Sequence, residues 1–392
     1  MNVTSDITLL KSLTPALVYD EATIYRTLHS LSMLTANPKC KALYSLKACA
    51  FVDVIELIAP HVDGFSCSSP NEVRLVSEIV GSSPLVQLVS PGLSAAFLKS
   101  LNAQPNYLTF NSLEQFYRLE HLVDKDTKIG IRINPKTKHV ANEKYSPCRI
   151  GSKLGVEVSE LLSQLANCER LRSRISGLHV HDNCESEDFG QLHGTALTLK
   201  PLLELNFGFK WINLGGGYQI ESSNDNAIAF HKTVDWLVKD YNLDVIIEPG
   251  NGIVRESGRL VTTILDIIET DSSKVAILDT TVNHAPEIFE YDWSPPVLSS
   301  TTKGIFKYTL AGCTCLAGDV FGEYSFEEPL TVSSKIVFES LGAYSMMKAS
   351  MFNGVDLPKQ YLLTEDGELV LRKSFSFEDF ANICGVTKIA IN

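Results

Sequence analysis

At 392 residues the chain is longer than one hydrophobic core usually extends, so a large α/β barrel with a second domain is expected. Its 44 % hydrophobic and 20 % charged residues describe an ordinary globular protein and exclude long disordered tails. A net charge of −12 with no Lys/Arg-rich block speaks against nucleic acid or an anionic membrane as partner and suits a small cationic substrate. The opening residues show no basic leader followed by an apolar stretch, and no later segment is long and apolar enough for a membrane span, which points to the cytoplasm. Nine cysteines, an odd number without disulfide-scaffold spacing, agree with reduced thiols.

In chain order, residues 16–20 (ALVYD) predict a strand. From about residue 40 to 250, eight β-rich runs follow: 42–46 (ALYSL), 62–67 (VDGFSC), 84–90 (PLVQLVS), 106–110 (NYLTF), 128–134 (KIGIRIN), 175–181 (ISGLHVH), 210–215 (KWINLG) and 243–248 (LDVIIE). The segments 51–60, 71–81, 93–101, 113–123, 158–175, 192–206 and 230–242 between them place apolar residues at three- and four-residue intervals and predict helices. Eight strands in such alternation close a (β/α)8 barrel. Residues 134–155 (NPKTKHVANEKYSPCRIGSKLG) form one long polar connection, of a length more often functional than idle. After about residue 256 the runs 259–270, 273–281, 304–312, 334–340 and 368–375 read as strands without regular helices between them. The fold class is therefore α/β, a TIM-like barrel over residues 25–255 with a discontinuous β-rich domain from 1–24 and 256–392.

Chemistry in such a barrel sits at the C-terminal ends of the strands. Those ends supply Lys47, Arg132, His181, the triplet Gly215, Gly216 and Gly217, and Glu248 followed by Pro249-Gly250. An apolar barrel mouth lowers a lysine's pKa and makes its amine nucleophilic. Glycines let backbone N–H groups approach a phosphate because no Cβ intervenes. A carboxylate against a pyridine nitrogen keeps that ring protonated and an electron sink, and His181 can stack on its face. Together these suit pyridoxal phosphate. Taken singly, each has an ordinary alternative: a solvated lysine, a glycine turn, a glutamate that ends a strand. His179, His181 and Cys184 could also hold a metal, as could Cys313 with Cys315, though no further ligands at suitable spacing accompany either set.

The stretches YSLKA, RINP, SPCRIGSKLGV, GLHVHDNCES, INLGGGY, IEPG, AILDTTVNHAPEIFE, CLAGD and MKASMFNG, spread over nearly the whole chain, resemble the alanine-racemase-like, fold-type III pyridoxal phosphate decarboxylases, and among them the carboxynorspermidine branch. The resemblance implies Lys47 as the lysine bonded to the cofactor, His181 as the stacking residue and Glu248 as the ring-nitrogen partner. It implies Gly215 to Gly217, the backbone of Gly250, Asn251 and Gly252, and Tyr344 as phosphate ligands. Cys315 would be the general acid and Asp319 a substrate-amine contact, both lent across the interface of a homodimer. Arg149, Cys184, Glu185 and Asn251 are substrate contacts on this reading, and no metal is needed. The implied activity is removal of an α-carboxylate from an amino acid or polyamine carboxylate in spermidine-type polyamine biosynthesis. A different diaminocarboxylate substrate, an amino-acid racemase on the same fold and a non-catalytic cofactor-binding homologue remain open. Three departures fall near the pocket: Asn251 where relatives carry Glu or Arg, Ala343 where they carry His, and Cys313 where they carry Pro. Ser66 replaces an aspartate of many decarboxylases, as in the carboxynorspermidine branch.

Overall fold

The structure, a computed structural model, describes residues 14–386 apart from 141–144, 206, 222 and 272. Most of the opening segment read for a leader, and residues 141–144 of the long connection, therefore lie outside the described residues. The chain divides into two compact units, Tyr25–Ile253 and the segments on either side of it.

Strand β1 (Ala16–Asp20) belongs to the flanking segments. In the central unit, β2 (Cys40–Ser45), β3 (Gly64–Cys67), β4 (Leu85–Val89), β5 (Tyr107–Phe110), β6 (Lys128–Asn134), β8 (Ile175–Val180), β9 (Trp211–Asn213) and β10 (Asp244–Ile247) form a closed parallel ring, because β10 pairs with β2 and β5 with β6. The two-residue β7 (Val156–Glu157) ends the long connection by pairing with β6 outside the ring. All eight sequence runs are barrel strands. The helices after β3, β4 and β5 start on the serines Ser69, Ser94 and Ser112, each accepting the amide three residues on at 3.1 Å. Two predicted helices are each broken in two. Cys168, in an extended conformation, separates Val158–Asn167 from Glu169–Arg174. Phe189–Thr198 stops short of Lys200–Glu204, where Pro201 lacks the N–H to continue the ladder.

Side chains alternate across a strand, so residues two apart share a face. Leu43, Tyr107, Trp211 and Ile246 form an apolar layer inside the barrel. Two residues further along each strand, the same face carries Ser45, Thr109, Asn213 and Glu248. The remaining strands repeat the step: Gly64 to Ser66, Leu85 to Gln87, Gly130 to Arg132 and Gly177 to His179. Every strand thus contributes one polar residue at the C-terminal end, above a layer filled largely by the Trp211 indole. Gly130 and Gly177 make room for that ring, since a Cβ on Gly177 would stand 2.1 Å from it and one on Gly130 2.4 Å.

In the other unit, β11 (Gly258–Glu269) pairs with β1, with β12 (Lys274–Leu278) and with β15 (Lys335–Phe338). β13 (Phe306–Ala311) and β14 (Val320–Phe326) extend one side of this sheet, while β16 (Lys359–Leu363) and β17 (Leu369–Lys373) extend the other. Phe321 stacks on Phe338 at 4.5 Å in its core. The strands β14 and β16 escape the sequence reading: Gly322 interrupts the first, at φ +143, and Gln360 is a buried polar residue within the second. Among the described residues no helix is long and apolar enough to cross a membrane.

The tight fit around Trp211 is testable. Gly177→Ala is expected to destabilise the protein by about 1–3 kcal/mol, read as a lower denaturant midpoint; an unchanged midpoint would show slack in the barrel interior.

Candidate active site

A cavity of about 510 Å³ opens at the C-terminal end of the barrel, walled by Lys47, Ser66, Arg132, His179, His181 and Glu248, and by residues 145–154 of the long connection. Lys47 sits in the turn after β2 and lines the cavity, where it is exposed. Enclosure by protein lowers the Lys47 pKa, the Glu248 carboxylate opposes that, and the Arg132 charge reinforces it.

Glu248 is the anchor of the polar layer. Its Oε1 accepts from Asn213 Nδ2 at 2.9 Å, and its Oε2 lies 3.5 Å from His179 Nε2. Burial alone would raise its pKa, but His179, Lys47 and a hydrogen bond from Ser66 hold the carboxyl down at about 2. Asn213 links this carboxylate to the glycine loop. Its Nδ2 also donates to Gln87 Oε1 at 2.8 Å, and its Oδ1 accepts the Gly215 amide at 2.7 Å. Gln87 in turn donates to Thr109 at 3.2 Å.

The glycine loop follows β9 with Gly215 at φ +72 and Gly217 at φ +89, conformations that favour glycine. It lies against the turn after β10: a Cβ on Gly216 would stand 2.1 Å from the Glu248 carbonyl oxygen, and one on Gly252 2.3 Å from that of Tyr218. The Gly216 amide donates to His181 Nδ1 at 3.0 Å, which leaves the proton on Nε2 and fixes the ring. Burial, then the Lys47 and Arg132 charges, push the His181 pKa well down, so the ring is neutral.

The long connection is pinned beside His181. Thr137 donates to Asp182 at 2.9 Å, His139 meets Thr195 at 3.1 Å, and the Cys148 thiol donates to the His181 carbonyl at 3.5 Å. Arg149 and Lys153 thereby reach the cavity wall. Cys184 and Glu185 follow His181 but stand outside that wall. Glu185, at φ +55, accepts from Asn251 Nδ2 at 2.8 Å, so these two expected substrate contacts hold each other.

Cys315, Asp319 and Tyr344 lie in the other unit. Cys315 is exposed, and its amide donates to Asn353 Oδ1 at 3.0 Å. The Asp319 carboxylate is occupied by its own surroundings: Oδ1 accepts the Val282 amide at 2.8 Å, and Oδ2 accepts the Thr314 amide at 3.1 Å and the Thr314 hydroxyl. With a residue only 3 % exposed, this makes Asp319 the organiser of the 312–319 loop rather than an open contact for a substrate amine. Tyr344 has φ +61, with Lys348 Nζ 5.0 Å from its ring centroid.

The residues missed from sequence are Gln87, Thr109 and Asn213, while Ser66 stood out only as a replacement and not as a partner of Glu248. Their signal was present: a polar residue two places after an apolar or glycine one, inside a run otherwise suited to burial. Among the described residues no three His, Cys, Asp or Glu side chains gather as a metal site, and His179 and His181 turn instead to Glu248 and the Gly216 amide.

Known proteins are similar to this chain in sequence and fold. Residues 21–263 match the family described as pyridoxal-dependent decarboxylase, pyridoxal binding domain. The chain is 33 % identical over 383 residues to the carboxyaminopropylagmatine decarboxylase of Synechocystis sp., covering 95 % of each. It is 29 % identical over 386 residues to a carboxynorspermidine/carboxyspermidine decarboxylase of Campylobacter jejuni, covering 94 % of this chain and 97 % of that one. Among solved structures it is similar to Campylobacter jejuni carboxynorspermidine decarboxylase complexed with norspermidine, with a TM-score of 0.84 and 27 % identity over 94 % of this chain and 99 % of that one.

The held-down carboxyl has a consequence in acid. Glu248 titrates at about 2 in the folded protein against an ordinary 4.5, so its stabilising contribution is complete above pH 4.5 and is lost as pH falls towards 2. Across that window the wild-type denaturant midpoint is expected to fall more steeply than that of Glu248→Gln; equal slopes would show that the carboxyl is not held down.

Proposed function

We propose that this chain, which belongs to the pyridoxal-dependent decarboxylases of fold type III, removes the α-carboxylate of a polyamine carboxylate, of the carboxynorspermidine or carboxyaminopropylagmatine kind, to give the polyamine and CO2. Its cofactor is pyridoxal phosphate, and the enzyme is a carboxy-lyase. The observation that carries the reading is the convergence of a lysine of lowered pKa, an oriented neutral histidine and an ionised glutamate on one cavity.

The residues present fit this cofactor. The glycine loops lie so close that Cβ atoms would break them apart, and His179 Nδ1 is buried without a hydrogen-bond partner among the described residues. When bound, pyridoxal phosphate supplies the electron sink that accepts the bonding pair of the departing carboxylate. Lys47 Nζ, its pKa lowered by burial, would be the amine that holds the cofactor's aldehyde. Ionised Glu248 holds a proton on the ring nitrogen, and Asn213 fixes the direction from which it does so. His181 offers its ring face, set by the Gly216 amide. Gly215 to Gly217 and the backbone from Gly250 to Gly252 would hold the phosphate.

The wall residues Arg149 and Lys153 are cations suited to the substrate carboxylate, while Glu185, aligned by Asn251, suits a distal ammonium. Cys315 returns the proton to the α-carbon, and Asp319 shapes the loop that presents it. On this reading Cys315 comes from a second copy, so the working unit is a cytoplasmic homodimer; the nine cysteines, all free, suit a reducing compartment.

Purified enzyme supplied with carboxynorspermidine, carboxyspermidine, carboxyaminopropylagmatine, diaminopimelate and ornithine is expected to release CO2 with kcat/KM at least about tenfold higher for the polyamine carboxylates, a difference of about 1.4 kcal/mol. A preference for diaminopimelate or ornithine would overturn the substrate assignment. Lys47→Ala is expected to fold, to lose the visible absorbance of the bound cofactor and to release no CO2. Cys315→Ala is expected to keep the absorbance but slow formation of the amine or misdirect it, as mass spectrometry of the products would show.

A further inference from the structure

Cys313 is not used by the site described above, yet it stands two residues before Cys315, to which proton return is assigned. Cysteine is among the residue types most often buried, and Cys40, Cys49, Cys67 and Cys148 follow that habit, whereas Cys313 and Cys315 are both exposed. The loop that carries them is tied down along its backbone. The Gly312 amide donates to the Asp319 carbonyl at 2.8 Å, and the Cys313 amide to that of Thr280 at 3.0 Å. The Thr314 amide donates to Asp319 Oδ2 at 3.1 Å, and the Cys315 amide to Asn353 Oδ1 at 3.0 Å. The Thr314 hydroxyl also turns to the buried Asp319, so the residue between the two cysteines faces inwards while both of its neighbours stay at the surface. In a fully extended chain the Cα atoms of residues two apart are separated by about 7 Å, and a disulfide needs about 4.4–6.8 Å. The chain bends at each of residues 313–315, which shortens the span towards that bonding range.

We propose that Cys313 and Cys315 are a redox pair, joined reversibly with a hydroperoxide as oxidant, and that the bond withdraws Cys315 from proton return. One thiolate sulfur attacks a peroxide oxygen; the O–O bond breaks, a sulfenic acid forms and one water leaves. The other thiolate then attacks that sulfur; the S–S bond forms, the S–O bond breaks and a second water leaves. The two thiols give up two electrons and two protons, and hydrogen peroxide is reduced to two waters. Because the disulfide closes a small exposed ring, it is of the labile kind that dithiols reduce. Cys313 thereby keeps Cys315 from the irreversible acids that further oxidation would give. Only the effect on proton return rests on the function proposed above; the chemistry of the two thiols does not.

The test treats wild-type holoenzyme and the Cys313→Ser variant with hydrogen peroxide, then digests each with trypsin in the absence of reductant and weighs the peptides. Peptide 308–335 carries Cys313 and Cys315 and no other cysteine, because no Lys or Arg lies between Lys307 and Lys335. In wild type this peptide is expected to lose about 2 Da, its two thiol hydrogens, while CO2 release from carboxynorspermidine falls at least about tenfold, and dithiothreitol restores both. Before oxidation, Cys313→Ser is expected to keep kcat/KM within about twofold, since only an exposed side chain changes. After peroxide its peptide gains about 32 or 48 Da, and dithiothreitol restores less than about a tenth of its activity. A wild-type peptide that never loses 2 Da would overturn the proposal, as would either cysteine pairing with a thiol elsewhere in the chain, or equal recovery by wild type and Cys313→Ser. A peptide that loses 2 Da with CO2 release unchanged would overturn the withdrawal of Cys315. Failure of the earlier reading is separate: the wild-type chain then turns over no polyamine carboxylate before oxidation, and the 2 Da loss still occurs.

Discussion

The hydrogen bond from Asn213 to Glu248 is the contact on which the site depends. A carboxylate enclosed in a barrel stays ionised only if donors replace the water it has lost. Asn213 does this while also receiving the Gly215 amide and donating to Gln87. One amide side chain therefore fixes the Glu248 charge, the start of the glycine loop and the link to Gln87 on β4. Because the same loop sends the Gly216 amide to His181, the histidine is oriented by an extension of the same network.

The barrel builds this network through its period-two geometry. Trp211, Tyr107, Leu43 and Ile246 fill the interior one level down, so the polar residues above them have an apolar floor and hydrogen-bond to one another. Filling the floor with one indole requires glycine at 130 and 177, and the strands that supply those glycines are the ones that supply Arg132 and His179 two residues later. Packing in one layer and chemistry in the next are thus set by the same strands.

The cavity wall is basic except for Glu248. That balance suits a cofactor with a phosphate and a substrate with a carboxylate; burial lowers the Lys47 and His181 pKa values, and the Arg132 charge adds to both, although Glu248 opposes the shift at each. A polyamine carboxylate also carries ammonium groups, and these need acidic partners outside that wall. The Glu185 and Asn251 pair stands between the turns after β8 and β10.

The sequence alone determined the eight-strand barrel, the pyridoxal phosphate chemistry and the identity of Lys47, His181 and Glu248 as strand-end residues, because alternation and strand-end position are local properties that a linear pattern carries. It also located the long connection whose later residues line the cavity. Only the tertiary structure decided which polar residues meet. The roles of Ser66, Gln87 and Asn213 arise from ring closure, which brings β3, β4, β9 and β10 around one interior, and no periodicity within a strand encodes its partner across the barrel. The same limit applies to Asp319 and to Glu185 with Asn251: residue type suggests a ligand contact for each, but a carboxylate is consumed by whichever donors the folded loops place nearest to it.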